Sequence, residues 1–339
     1  MKTTSIGILS LFVLFAACEP KVGSPISLIN GPAILAVKGE PAEADPRPGD
    51  ATFQYEALAV DSDGRVPVPT ADISSPLLWA ICTQPKPPTQ SNSVSVACLD
   101  QNALPGVAGD SLDTYTALAP LESCTLFGPL TPPPVGDQPP IRPRDPDVTG
   151  GYYLPVRLSL AVPVDLRRPG MATEDSIVGF QMQRIYCGLA NAPGWAVVQY
   201  TQEYKLNQNP VIASLTLQEP GSDPVEVPPL SPGSAPFPVA AGRTVSLTAN
   251  WPADSVESYP AWDVLTHTLP NHNEAMRVSW YATAGSFEHD ITGRSEFETE
   301  TFAQNTWTPG TPGLVHLWVV LHDSRGGTDF AGYDLEVTP

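Results

Sequence analysis

From Thr52 onward the chain reads Thr-Phe-Gln-Tyr-Glu-Ala-Leu-Ala-Val, with Phe53 and Tyr55 falling on one face. A period of two belongs to a half-buried β-strand. The turn signal Pro48-Gly49-Asp50 precedes this run and Asp61-Ser62-Asp63-Gly64 follows it, so the pattern predicts a strand over 52–60. Leu77-Leu-Trp-Ala-Ile-Cys82 is apolar throughout and predicts a buried strand. Tyr152 to Val162 and Trp195 to Tyr204, rich in Val, Leu and Tyr, predict two more. Over Ser176–Cys187 two periods compete. Val178, Met182, Ile185 and Leu189 keep helical spacing, while Gln-Met-Gln-Arg alternates; Gly179 tips the expectation to strand, since glycine weakens a helix interior.

Asn207-Gln-Asn-Pro210 breaks the pattern as a linker would. Beyond it, strands are predicted over 211–217, 244–249, 276–283, 285–292, 294–302, 314–322 and 328–337. Seven short strands with turn signals between them describe a β-sandwich. Within this half stand Arg277-Val-Ser-Trp-Tyr-Ala-Thr-Ala-Gly-Ser286, Asn305-Thr-Trp-Thr-Pro309 and Val319-Val-Leu-His-Asp-Ser-Arg-Gly-Gly327. Together they resemble the immunoglobulin-like domains of bacterial surface proteins, nearest to the PKD and cadherin-like types. The resemblance implies that Trp280 is the core tryptophan of the third strand. Trp79 sits on a comparable strand, so the first half is expected to be a second, elaborated copy. The fold class expected is therefore all-β, with two immunoglobulin-like sandwiches in tandem, the first carrying long loops and disulfides.

The amino terminus has a different pattern. Lys2 precedes an apolar run, Ile6 to Ala17, that is shorter than the roughly 20 residues a spanning helix needs. Phe15-Ala-Ala-Cys18 resembles the lipobox of bacterial lipoproteins. That resemblance implies cleavage before Cys18, acylation of Cys18, and a lipid-anchored place in the cell envelope, with the outer membrane expected. Ordinary secretion, with Ala16-Ala17-Cys18 as a cleavage site, is the alternative. The expected organisation is a signal peptide over 1–17, a lipidated tether over 18–25, a disulfide-containing domain over 26–206 and a sandwich over 207–339.

Five cysteines, 18, 82, 98, 124 and 187, become an even four once Cys18 carries lipid, which suits two disulfides in an oxidising compartment. Cys82–Cys98 with Cys124–Cys187 is the favoured pairing. Cys82–Cys187 with Cys98–Cys124 is its rival.

Composition narrows the partners. Forty prolines with abundant Thr, Val, Gly and Ser disfavour helices, the charged fraction of 16% is low, and 42% hydrophobic residues suffice for real cores. A net charge of −19 disfavours nucleic acid and anionic lipid surfaces. From residue 207 onward only Arg243, Arg277, Arg294 and Arg325 oppose sixteen acidic side chains. The proline-dense stretch from Pro129 to Gly151 is an expected exposed excursion, and the first place to look for a partner contact.

Catalytic patterns are scarce. Gly109-Asp-Ser-Leu112 spells the nucleophile block of GDSL esterases, but no Asp-x-x-His follows. The histidines, 267, 272, 289, 316 and 322, form no zinc motif. Asp61-Ser-Asp63-Gly64 lacks the later ligands of a calcium loop, and turn chemistry accounts for it. The expectation is a non-enzymatic binding or scaffolding protein without cofactor, metal or catalytic residues, held to the membrane by lipid and meeting an envelope protein or a glycan. A carbohydrate- or calcium-dependent surface adhesin is the alternative.

Overall fold

A computed structural model describes residues 25–65, 77–111, 113–131, 133, 136, 141, 142, 148–161 and 176–339. Cys18, the signal segment and most of the proline-dense excursion lie outside these residues.

The first sandwich is built from β1 (Ala33–Glu40), β2 (Glu43–Ala44), β3 (Thr52–Asp61), β4 (Gly64–Arg65), β5 (Leu77–Ile81), β6 (Val107–Ala108), β7 (Thr114–Leu118), β8 (Gly151–Ala161) and β9 (Ser176–Tyr186). Helix α1 (Ser123–Phe127) lies before β8, and α2 (Gly194–Glu203) follows β9. One sheet joins β1, β3, β4 and β7; the other runs β2-β9-β8-β5-β6. The second sandwich comprises β10 (Ser214–Gln218), β11 (Val225–Val227), β12 (Phe237–Ala240), β13 (Val245–Asn250), β14 (Ser258–Pro260), β15 (Asn271–Asn273), β16 (Met276–Ala282), β17 (Ser286–Phe287), β18 (Ile291–Arg294), β19 (Phe302–Thr308), β20 (Gly313–Asp323) and β21 (Thr328–Thr338). Its sheets are β11-β10-β13-β19-β17 and β12-β21-β20-β16-β18, with β14 and β15 as a separate hairpin.

The two halves share one plan. In each, a short strand pairs parallel to the last strand: β2 with β9, and β12 with β21. In each, the tryptophan-bearing strand is flanked by a long strand and a short one: β5 by β8 and β6, β16 by β20 and β18. Trp79 and Trp280 occupy these matching strands, and both are fully buried. The protein is therefore two immunoglobulin-like sandwiches in tandem.

Disulfides join Cys82 to Cys98 and Cys124 to Cys187, the favoured pairing, with Cα separations of 5.6 and 5.5 Å. The first closes the loop after β5; the second ties α1 to the end of β9. Their loops span 16 and 63 residues, so chain entropy assigns them about 3 and about 4 kcal/mol. Serine replacements of each pair, compared by urea unfolding, should follow that order. A greater loss at the shorter loop would contradict the entropic account.

Several strand expectations are corrected. Trp195–Tyr204 is the helix α2, not a strand. Ala196, Tyr200 and Tyr204 recur every four residues, and Tyr200 and Tyr204 stack at 4.7 Å and meet Tyr186. The expected strand over 285–292 divides into β17 and β18, which belong to different sheets, and that over 294–302 gives way to β18 and β19 with a turn between. There the Glu298 carboxylate accepts from the Ser295 amide and hydroxyl, and Phe297 stays exposed. Strand β12 carries no strand signal in the sequence because it contains Pro238, tolerated here on an edge strand.

Candidate functional site

The seam between the sandwiches holds the densest chemistry of the described residues, and its apolar layer comes first. In β3 the burial alternates at Thr52–Tyr55 but becomes continuous from Ala57 to Asp61; β20 does the same from Leu317 to Leu321. Strands buried on both faces lose polar alternation. Ala57 and Ala59 face the core of the first sandwich, while Leu58 and Val60 point outward. Leu317, Val319 and Leu321 enter the second core, while Trp318 and Val320 point outward to meet Leu58, Val60, Ala36 and Ile29. A register shift between Ile34 and Ala36 lets Ala36 join this outer layer, with Val37 still facing its own core. Four sheets thus stack with three apolar layers between them.

Beside this layer runs a buried ionic network. Glu43 and Arg184 are register partners on the parallel β2–β9 pair, and the Arg184 Nε lies 3.2 Å from the Glu43 carboxylate, both fully buried. The other Glu43 oxygen accepts from the Tyr204 hydroxyl at 2.5 Å and the Asn207 amide at 2.9 Å. Tyr204 in turn accepts from Arg184 and, across the seam, from Arg325, each at 3.3 Å. Arg325 sits in the β20–β21 turn and donates to Glu274 at 2.6 Å, Glu257 at 2.8 Å and the Lys205 carbonyl at 3.1 Å. Its guanidinium also lies 4.8 Å from the centre of the Tyr259 ring. The Asp323 carboxylate accepts from the Arg325 and Gly327 amides and from the Asn207 side chain.

The expected linker is thereby pinned on both sides. Besides the Asn207 bonds, the Gln208 amide donates to Glu257. Asn209 donates to Gly39 and Glu40 of the first sandwich and accepts from the Thr328 amide of the second. Lys38 and Asp329 close the far side at 3.0 Å, next to a groove of about 280 Å³ whose lining includes Glu56, Leu230 and Trp318.

Electrostatics follow from crowding. Burial, then the neighbouring Asp323 charge, pushes Glu274 from its ordinary 4.5 up to about 7, against the opposing pull of Arg325. Burial also raises Asp323. For Arg325 burial acts downward, but Glu274 and Tyr204 outweigh it and hold the guanidinium above its usual range. Burial, aided by Arg277, drives His322 down to about 4.

Apart from the paired cysteines, the described residues singled out by sequence do not converge. The histidines make separate contacts: His272 with Glu296, His316 with Asp334, His322 with Thr328, and His267 edge-on to Trp262. Ser111 is exposed and bonds Asp113 and Thr114, and every histidine lies in the second sandwich. Asp61 caps its own turn by accepting from the Asp63 amide. Among the described residues no group of three or more His, Cys, Asp or Glu is placed to hold a metal ion, and no helix is long and apolar enough to cross a membrane.

No protein-family model and no curated protein sequence matches the chain. Among solved structures it is similar to the D00-D0 domain of Intimin, at 9% identity over 90% of this chain and 100% of that one, with a TM-score of 0.22. The D0-D1 domain of Intimin follows at 10% identity, 90% and 99% coverage and a TM-score of 0.19. The fibronectin(III)-like modules of Clostridium thermocellum CbhA give 10% identity, 91% and 94% coverage and 0.20. At such scores the fold assignment rests on the strand order above.

Proposed function

We propose that this is a lipid-anchored protein of the cell envelope, attached through Cys18, whose paired sandwiches form a rigid, non-catalytic binding or scaffolding unit. The observation that carries the reading is the seam. A stacked apolar layer, a buried ionic network and a pinned linker hold two domains that a flexible tether would leave independent. Rigid relative placement favours presenting fixed surfaces over reaching or wrapping. Two disulfides fit an oxidising compartment, in keeping with export directed by the amino-terminal segment. Acyl chains contribute about 0.8 kcal/mol per buried methylene, so a multiply acylated Cys18 would hold the chain without help from its acidic surface.

The test is fractionation of cells carrying wild type or Cys18→Ser. The wild type should sediment with membranes and the variant should be released. Retention of the variant would refute the anchor. Capture from envelope extracts on immobilised residues 25–339 then addresses binding, with calcium present and absent; capture that requires calcium would favour the adhesin alternative.

A further inference from the structure

Around Arg325 the described residues gather three carboxylates: Glu274 and Glu257 accept from its guanidinium, and Asp323 accepts from its backbone amide. The Glu274 and Arg325 side chains are respectively 0% and 1% exposed, and Glu257 lies at the rim with 17%. A second cation, Arg184, is engaged by Glu43 and shares the Tyr204 hydroxyl with Arg325. The β20–β21 turn brings Arg325 and Asp323 to Glu274, and the β14 hairpin brings Glu257 and Tyr259. Behind Arg325 stand Tyr204 and then Arg184 with Glu43. Excess negative charge excluded from water is costly and is relieved most simply by a proton.

We propose that the seam is a proton-dependent lock, in which Glu274 takes up a proton on docking and the two sandwiches hold each other more tightly at mildly acidic than at alkaline pH. In the neutral form Glu274 no longer repels Asp323 and Glu257, and its carboxyl still accepts from Arg325 and from the Glu257 amide. In the ionised form three like charges crowd beside one guanidinium, which bonds two of them, and strain the bonds that pin Asn207 and Gln208. The sign follows from the proton count. Glu274 binds its proton more tightly folded than unfolded, so between about pH 4.5 and 7 the folded state holds more protons and stability falls as pH rises. His322 acts oppositely: its depressed folded value makes stability rise with pH between about 4 and 6.5. A Glu274 variant leaves the His322 contribution in place, so the difference between profiles isolates Glu274.

Amide hydrogen exchange in the whole protein tests this. The Asn207 and Gln208 amides, bonded to Glu43 and Glu257, report the lock; amides of Leu317–Leu321 in β20, measured in the same chain, cancel the chemical pH dependence of exchange. One proton changes an equilibrium by at most about tenfold per pH unit. The exchange ratio of lock to β20 should therefore rise about tenfold or more between pH 5.5 and 8, and stay level in Glu274→Gln. A level ratio in wild type, or an equal rise in the variant, would overturn the proposal. Should Glu274→Gln not fold, Asp323→Asn removes the strongest repelling charge and should move the rise to lower pH; an unmoved rise is equally fatal.

Discussion

Replacing Arg325 with methionine is expected to destabilise the protein by about 3–5 kcal/mol, the cost of leaving buried charge without its partner. Methionine keeps much of the volume, so the loss isolates the guanidinium. Without it, Glu274 and Glu257 keep one backbone amide each but lose their charged donor, the Lys205 carbonyl and the Tyr204 hydroxyl each lose a donor, and the rings of Tyr204 and Tyr259 lose a cation. The loss should be smaller at pH 5 than at pH 8, because protonation of the orphaned carboxyls removes the charge that methionine cannot balance. Denaturant midpoints at the two pH values measure both effects. A cost under about 1 kcal/mol at pH 8, the range of an exposed pair, would show that water reaches the network.

Trp318→Ala is the second large effect, for a different reason. Trp318 is 2% exposed and contributes the largest apolar side chain to the layer between sandwiches, yet it lies outside the core of its own domain. Removing a buried tryptophan costs about 3–5 kcal/mol. Because the cavity opens in the seam, the cost should appear as separation of the sandwiches, with the second core retained. Urea unfolding followed by far-ultraviolet dichroism should change from one transition to two. Trp280→Ala, by contrast, empties the second core itself and should lower the stability of that sandwich. A single cooperative transition in Trp318→Ala would mean that the rest of the seam still couples the two sandwiches without this side chain.

Much of the architecture was legible from alternation alone. Phe53 and Tyr55, the apolar run at Leu77–Ile81 and the pair Trp79 and Trp280 mark strands whose periodicity is undisturbed by neighbours. The seam was only half legible. Ala57–Val60 and Leu317–Leu321 announce burial on both faces, but not that each run covers the other. The ionic network left no local signal. Residues 43, 184, 204, 257, 274 and 325 share no spacing, and Arg325 stands in Asp-Ser-Arg-Gly-Gly, which turn chemistry already explains. Helix α2 was missed because its aromatic and β-branched residues favour strands intrinsically, and only the stacking of Tyr186, Tyr200 and Tyr204 reverses that preference. Asn207–Pro210 carries the polar composition of a flexible connector, whereas its side chains are spent on bonds to both neighbours.

Before the chain builds its first sandwich it has already joined the second. Leu28 bridges Ala282 in parallel; the Ile29 amide donates to the Ala282 carbonyl, and the Ala282 amide donates to Ser27. A pull applied at residue 25 therefore enters the carboxy-terminal domain first, at the end of β16, and does not have to unravel the disulfide-containing domain to reach it. For a pull between residue 25 and the carboxy terminus, load reaches the second sandwich before the first. The amino-terminal sandwich hangs beside the line of tension, sheltered from it for as long as this short splice holds.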